Sequence, residues 1–325
     1  MFMKTNLLKL FVLVFTGFLF TSSTPANPDP IKSKFVVVLD AGHGGHDGGN
    51  SWHGFSEKQI ALDITLKVGA ELEKLPDVKV IYTRKTDAFI TLAGRANIAN
   101  KADADLFISI HMNGHNSQAQ GTETFVLGLH RNMDNFEVAK RENSVIFLEE
   151  DYEVTYGGFD PNSPESYIGM MIMQEEYLEQ SILLADFIQK NFTNINKRVN
   201  RGVKQAGFLV LRDTYMPSVL VEGGFLSNKS EGAYLNSENG KSAIAKSILQ
   251  AIISYKNAIN VEILEELANN SKIEDLPQVT QNYDIISDVT FRIQLAASSK
   301  KLDTKPSNFK GLTPVIREKE YKLFK

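Results

Sequence analysis

Two histidines and two glutamates stand where hydrolytic zinc chemistry would need them. His43 follows the apolar run FVVVLD (35–40), inside LDAGHGG. His111 closes LFISIH (106–111), Glu222 closes PSVLVE (217–222), and Glu57 opens an amphipathic helix soon after the first run. In open α/β sheets, ligands bind in the crevice outside the carboxyl ends of the strands, so side chains at such ends converge. Catalytic zinc takes three nitrogen or oxygen ligands and leaves a fourth position for water. The chain has no cysteine. That excludes thiolate ligands, disulfides and a lipoprotein anchor, and leaves histidine and carboxylate as the donors.

Each residue also has a plainer reading. His43 lies in GHGGHDGGN, where glycines let the backbone turn tightly and approach a ligand closely. The loop matches neither the dinucleotide nor the Walker phosphate pattern. Glu57 follows Ser56, which forms an S-x-x-Q capping box with Gln59. A glutamate there also suits the helix dipole, and the same position turns its carboxylate toward the strand end that carries His43. His111 sits on a buried strand and could be a satisfied core residue, and Asn113 either orients a substrate or shapes the turn. Glu222 ends an almost wholly apolar run. An unpaired buried carboxylate is costly, so it needs a metal, a cation such as Arg95 or Arg84, or a catalytic task. Burial would raise its pKa, as suits a general base. His46, His53, His115 and His130 read as loop residues.

The elements that must position these groups alternate. Strand 35–40 leads to a helix from Ser56, with Ile60, Ile64, Val68 and Leu72 on one face. Strand 78–83, helix 91–102 and strands 106–111 and 121–129 follow. This order predicts an α/β fold: a mixed, mostly parallel twisted sheet with helices on both faces and the site at the carboxyl ends of the strands. Residues 130–165 are charged and irregular. A long helix is expected over 166–192, two strands within 201–228, and an amphipathic helix over 240–256. Residues 262–288 are polar and weakly patterned, and a strand-like VTFRIQLAASSKK (289–301) comes last.

The first 26 residues read as a signal peptide. Lys4 and Lys9 precede the apolar LFVLVFTGFLF (10–20), and TSSTPA offers a cleavage site near Ala26. The apolar run is short for a membrane span, so secretion without a stable membrane anchor is expected. Without those two lysines, 33 basic and 39 acidic residues remain, a charge of about −6. That balance argues against a nucleic-acid partner.

LDAGHGGHDGG, the following Glu57, SIHMN and MPSVLVEGGFLSN, in this order, resemble the zinc-dependent N-acetylmuramoyl-L-alanine amidases of bacterial cell-wall remodelling. The resemblance implies one zinc per chain on His43, Glu57 and His111, with Glu222 as the catalytic glutamate. It implies cleavage of the amide between N-acetylmuramic acid and L-alanine of peptidoglycan, for wall remodelling and daughter-cell separation, in the periplasm. RGVKQAGFLVLR and Arg95-Ala-Asn97 also look like family features, with Arg95 and Asn113 as candidate substrate contacts. The implied organisation is a signal segment 1–26, a catalytic domain 34–258, a linker 259–288 and a partial SPOR-like glycan-binding segment 289–325. The stretch 130–165 resembles an insert that blocks the site until a protein activator displaces it. Its core FEVAKRENSVIFLEEDYEV (136–154) has helical spacing through Phe136, Ala139, Val145 and Leu148, and Glu142, Glu149 and Glu150 are its candidate zinc contacts. A solvated surface helix is the plainer reading of that stretch. Rival functions are a non-catalytic wall-binding protein on an amidase scaffold and a zinc carboxypeptidase acting on stem peptides. Retention of all four site residues argues against the first, and reaction products separate the second.

Overall fold

The computed structural model describes residues 34–128, 133–167 and 177–274, together with two short strands near the C-terminus. The expected signal segment 1–26 and the strand-like unit 289–301 lie outside the described residues. The chain divides into two units, Met1–Leu267 and Ala268–Lys325. In the second unit, Lys319–Glu320 and Leu323–Phe324 pair antiparallel, Leu323 opposite Glu320.

The first unit is built on a six-stranded sheet. Its strands are β1 (Phe35–Ala41), β4 (Val78–Tyr82), β5 (Leu106–Asn113), β6 (Thr122–Leu127), the polar edge strand β7 (Asn200–Ala206) and β8 (Ser218–Phe225), and Ser51–Trp52 and Phe55–Ser56 form the small hairpin β2–β3. The order is β4-β1-β5-β8-β6-β7. Strands β4, β1, β5 and β8 are mutually parallel, whereas β6 and β7 run together in the opposite sense. Continuous apolar runs suit strands buried on both faces, and alternate residues separate into two cores. Val37, Leu39, Ile108, Ile110, Val219 and Val221 face the first core. Val36, Val38, Phe107, Phe125 and Leu220 face the second.

Helices close both faces. The first core is covered by α1 (Glu57–Leu72), α5 (Leu178–Asn194) and α8 (Glu238–Glu274), through Ile60, Ile64, Val68, Leu184, Ile188, Ile244 and Ile248. On the second core lie α2 (Leu92–Lys101) and α6 (Leu209–Arg212), with α3 (Met133–Asn143), a 3-10 turn (Ser144–Leu148) and α4 (Tyr152–Thr155) of the insert. The eight-residue α7 (Lys229–Asn236) follows β8.

Several expectations need correction. β5 and β8 continue past His111 and Glu222, to Asn113 and Phe225. Both residues therefore project from the sheet near its edge, two and three residues before their strands end. The helix expected over 166–192 begins at Leu178 among the described residues. The closing helix runs on to Glu274, into the stretch read as linker. The S-x-x-Q box does not form, because Ser56 makes no side-chain cap. Nor is the insert a solvated helix: Phe136, Ala139, Ile146, Tyr156 and Phe159 are buried in the second core. Its helical spacing also ends early, since α3 stops at Asn143 and Leu148 is 50% exposed.

Ile108 lies fully buried on the central strand one turn of the pleat away from the site-bearing face. Ile108→Ala should lower stability by about 2–5 kcal/mol through lost contacts and a residual cavity. Denaturant unfolding followed by circular dichroism measures it, and metal uptake of the folded protein should be unchanged.

Candidate metal centre and catalytic glutamate

The residues at the sheet edge converge from four elements. His43 lies two residues beyond β1 in the left-handed backbone region (φ +60°), a conformation unusual for a residue with a Cβ. Three neighbouring carbonyls are held to sustain it. Arg84 Nε and Nη2 donate to the carbonyls of Ala41 and Gly42. Arg95 Nη1 donates to Ala41 and Nη2 to the His43 carbonyl itself. Arg95 is fixed in turn by Asp40, 2.7 Å away and fully buried. The Asp40 carboxylate also accepts from Thr83 and Ser109 at 2.6 Å. Burial works against its ionisation, but Arg95, Ser109 and Thr83 outweigh it and hold its pKa below the usual range.

These bonds bear on two readings. Arg95 is 2% exposed with its guanidinium committed to Asp40, Ala41, His43 and Ile90, so it positions the His43 loop. Neither Arg84 nor Arg95 pairs with Glu222.

His43 Nδ1 meets Asp47 at 2.8 Å, which turns Nε2 inward. Glu57 enters from the start of α1. Its Oε2 accepts from the backbone and side-chain nitrogens of Asn50 at 2.7 and 2.8 Å, and its Oε1 accepts from Met112 N at 2.8 Å. His111 rises from β5, packed so closely on Gly42 that a Cβ there would fall 2.4 Å from its ring. The fourth group comes from the insert: Glu142, at the end of α3. His43 Nε2 stands 3.2 Å from both Glu57 Oε1 and Glu142 Oε2, and His111 Nδ1 stands 3.2 and 3.1 Å from the same two oxygens.

Those contacts are not ordinary hydrogen bonds. His43 Nε2, His111 Nδ1 and Glu142 Oε2 are buried without a hydrogen-bond partner. Together with a Glu57 oxygen they make four donor atoms that lie within 4.8 Å of one another. A tetrahedral ion with arms of about 2.0 Å has donor–donor edges of about 3.3 Å, close to the spacing seen. The donor chemistry and its spacing thus fit a small divalent ion such as zinc.

Burial and charge set the proton affinities of the cluster. Burial disfavours a charged His43, but Glu57, Asp47 and Glu142 together raise its pKa well above normal. His111 is similarly pushed up to about 9, burial being overcome by Glu142 and Glu57. Glu57 is pulled down to about 2, chiefly by His43 against its own burial. Glu222 behaves oppositely. It is fully buried, both oxygens lack a partner, and burial with the charges of Glu142 and Glu57 lifts its pKa well above the carboxylate range. In β8 it lies beside His111 in register.

Of the other expected residues, Asn113 is buried. It bonds Glu123 through Nδ2, and its Oδ1 accepts from Arg141 and the Gly114 amide. Glu149 does not reach the cluster: it accepts from Leu92 N at the start of α2 and from the Tyr156 hydroxyl. Glu150 is exposed in a turn. Sequence reasoning missed Asp40, Asp47 and Arg141. The clue for Asp40 was the one applied to Glu222, an acid ending an apolar strand. Asp47 stood four residues beyond His43 in the glycine loop.

The family described as N-acetylmuramoyl-L-alanine amidase matches residues 37–254. The chain is 34% identical over 242 residues to the amidase AmiA of Escherichia coli K12, covering 72% of this chain and 81% of that one. It is 32% identical over 245 residues to AmiC of Escherichia coli O6:H1, covering 71% and 56%. Among solved structures, an N-acetylmuramoyl-L-alanine amidase from Clostridium difficile 630 superposes with a TM-score of 0.53 at 27% identity, over 69% of this chain and 98% of that one. The catalytic domain of the Paenibacillus polymyxa amidase CwlV gives 0.51 at 29% identity, over 68% and 98%.

Gly42→Ala should drive its new methyl into the His111 ring and weaken metal binding by about 10–100-fold, the range seen when ligand orientation is disturbed. Competition with a chromophoric chelator measures it, with the melting profile as the check on folding.

Proposed function

We propose, from the premise that this chain belongs to the N-acetylmuramoyl-L-alanine amidase family, that it is a secreted, self-restrained zinc enzyme. As a member of that family it is a hydrolase of an amide bond, the one joining N-acetylmuramic acid to L-alanine in peptidoglycan. His43, Glu57 and His111 would hold the zinc, and Glu222 would act as the base. The observation that carries this reading is the convergence of two imidazole nitrogens and two carboxylate oxygens beside an unpartnered, fully buried glutamate.

A zinc ion held there supplies Lewis acidity to the scissile carbonyl and lowers the pKa of bound water. The rest falls to the chain. Asp47 on Nδ1 and Asn50 with Met112 N on Glu57 fix ligand orientation, as outer partners of metal sites do. Glu222, whose pKa is raised by burial and by the neighbouring acids, takes a proton from the attacking water and delivers it to the leaving alanine nitrogen.

Glu142 supplies the restraint. With Glu142 as a fourth donor beside His43, Glu57 and His111, a zinc held there would have no open position for water. The insert is held over the site by Phe136 and Ala139 in the second core, by Asn143 bonded to Gly207 and Leu209, and by Arg141 donating to Asn113 and Gly114. A partner protein would activate the enzyme by binding the displaced insert better than the docked one. A related amidase, CwlD of Clostridioides difficile, has been solved in complex with a lipoprotein. Residues 1–26 would direct export to the periplasm and then be removed. No helix among the described residues is long and apolar enough to cross a membrane. The segment 289–325 is proposed as the partial glycan-binding element.

Glu222→Gln should leave fold and zinc content intact and lower turnover of a soluble muropeptide by about 10²–10⁴-fold, the usual contribution of general acid–base catalysis. Activity near wild type in a zinc-loaded variant would assign the proton transfer elsewhere.

Glu142→Ala should have the opposite sign. With the fourth donor gone, unstimulated turnover should rise by at least about tenfold while bound zinc stays near one per chain. An unchanged basal rate, measured on the same muropeptide, would remove Glu142 from the restraint.

A further inference from the structure

One motif remains unused by this chemistry: RGVK (201–204) on the edge strand β7. In a regular strand, residues three apart face opposite sides, so Arg201 and Lys204 should diverge. They do not. The β6–β7 register shifts between Thr122 and Thr124, and Gly202 takes φ +89° inside the irregularity. A bulge of this kind re-aims side chains, and both cations reach one carboxylate. Arg201 Nε and Lys204 Nζ lie 2.9 and 2.5 Å from Glu123 Oε2.

Glu123 is 1% exposed and is itself oriented by Asn113, whose Nδ2 donates to Oε1 at 2.7 Å. It stands directly opposite Glu222 across the antiparallel β6–β8 pair, and Glu222 stands beside His111. Directly paired residues share a face. A row therefore runs across the sheet from His111 to Glu222 to Glu123, and ends at the two cations.

One cation would neutralise Glu123. Two leave an excess positive charge, and Arg201 uses only Nε on its partner. Among the described residues its Nη1 and Nη2 have no hydrogen-bond partner, and the side chain is about a third exposed, its guanidinium lying over the Phe225 ring. A guanidinium steadied from one edge presents the other for a planar, two-oxygen acceptor. Strands lie about 4.8 Å apart, which puts this edge roughly 5–10 Å from Glu222. A peptide covers about 3.5 Å per residue. The distance matches the residue that follows the alanine of a stem peptide.

We propose that Arg201, with Lys204 and Glu123 beneath it, forms a subsite for the free carboxylate of the stem residue that follows alanine. This rests on the amidase reading above and adds a specificity to it: stems in which that carboxylate is amidated are poorer substrates. No bond is made or broken at the subsite. It positions the chain so that the alanine amide lies over the zinc site.

The test compares two soluble muropeptides that differ only in that group, carboxylate against carboxamide, using zinc-loaded full-length protein. Because the comparison is made within one protein, restraint by the insert cancels. The wild type should favour the carboxylate by about 10–100-fold in kcat/KM, as expected for one charge-assisted pair, with most of the difference in KM. Arg201→Gln should abolish the preference while cleaving the carboxamide within about threefold of wild type, and Arg201→Lys should keep part of it. Equal wild-type rates on the two substrates would overturn the subsite without touching the amidase reading. So would an Arg201→Gln variant that slows both substrates alike, which marks a structural role. Cleavage of neither substrate by zinc-loaded Glu142→Ala protein, in which the restraint is lifted, would overturn the amidase reading and the subsite with it.

Discussion

Everything at this site depends on how the carbonyls of Ala41, Gly42 and His43 are held. Two buried arginines bind them, and one of the two is itself anchored by the buried Asp40. This polar cluster under the sheet edge allows His43 to occupy a left-handed backbone conformation that would cost about 1–3 kcal/mol unless its surroundings enforced it. A buried guanidinium is tolerable here because its hydrogens meet carbonyls or a carboxylate. The same bonds place His43 Nε2 where it faces His111 and Glu57. Without the clamp, the glycine loop would have many conformations open to it and no reason to choose this one.

The second consequence is a division of labour among the acids. Glu57, Glu142 and Glu222 are all buried and close enough to feel one another's charge, yet their environments push them apart. Glu57 and Glu142 face histidines and are held ionised, while Glu222 faces those acids and is driven toward its proton. Such separation lets neighbouring carboxyl groups take different chemical roles. It follows from position in the sheet. Glu222 and His111 are neighbours on adjacent strands, whereas Glu57 and Glu142 arrive from helices on opposite faces.

The insert is part of the molecule's second core, so its docked state does not rest on Glu142 alone. Phe136, Ala139 and Ile146 bury apolar surface against the sheet face that carries His111 and Glu222. Arg141 and Asn143 add polar ties to β5 and to the β7–α6 connection. Removing Glu142 would free the donor position alone, whereas full displacement of the insert would have to release both layers together. Asn113, which touches Arg141 on one side and Glu123 on the other, joins the insert to the row of acids across the sheet.

The sequence by itself determined the α/β order, the apolar strands and the four residues His43, Glu57, His111 and Glu222. Strand periodicity and the cost of a buried charge are local properties, visible in FVVVLD, LFISIH and VLVE. It also marked the insert as a source of acids. Tertiary structure decided which acid arrives: Glu142 is set by where α3 ends, while Glu149 caps α2 and Glu150 faces solvent. It likewise made Arg95 an anchor of the His43 loop, and brought Arg201 and Lys204 onto one carboxylate through a bulge. Such pairings join residues tens of positions apart, and their geometry depends on register and packing between elements, which no spacing within a single segment encodes.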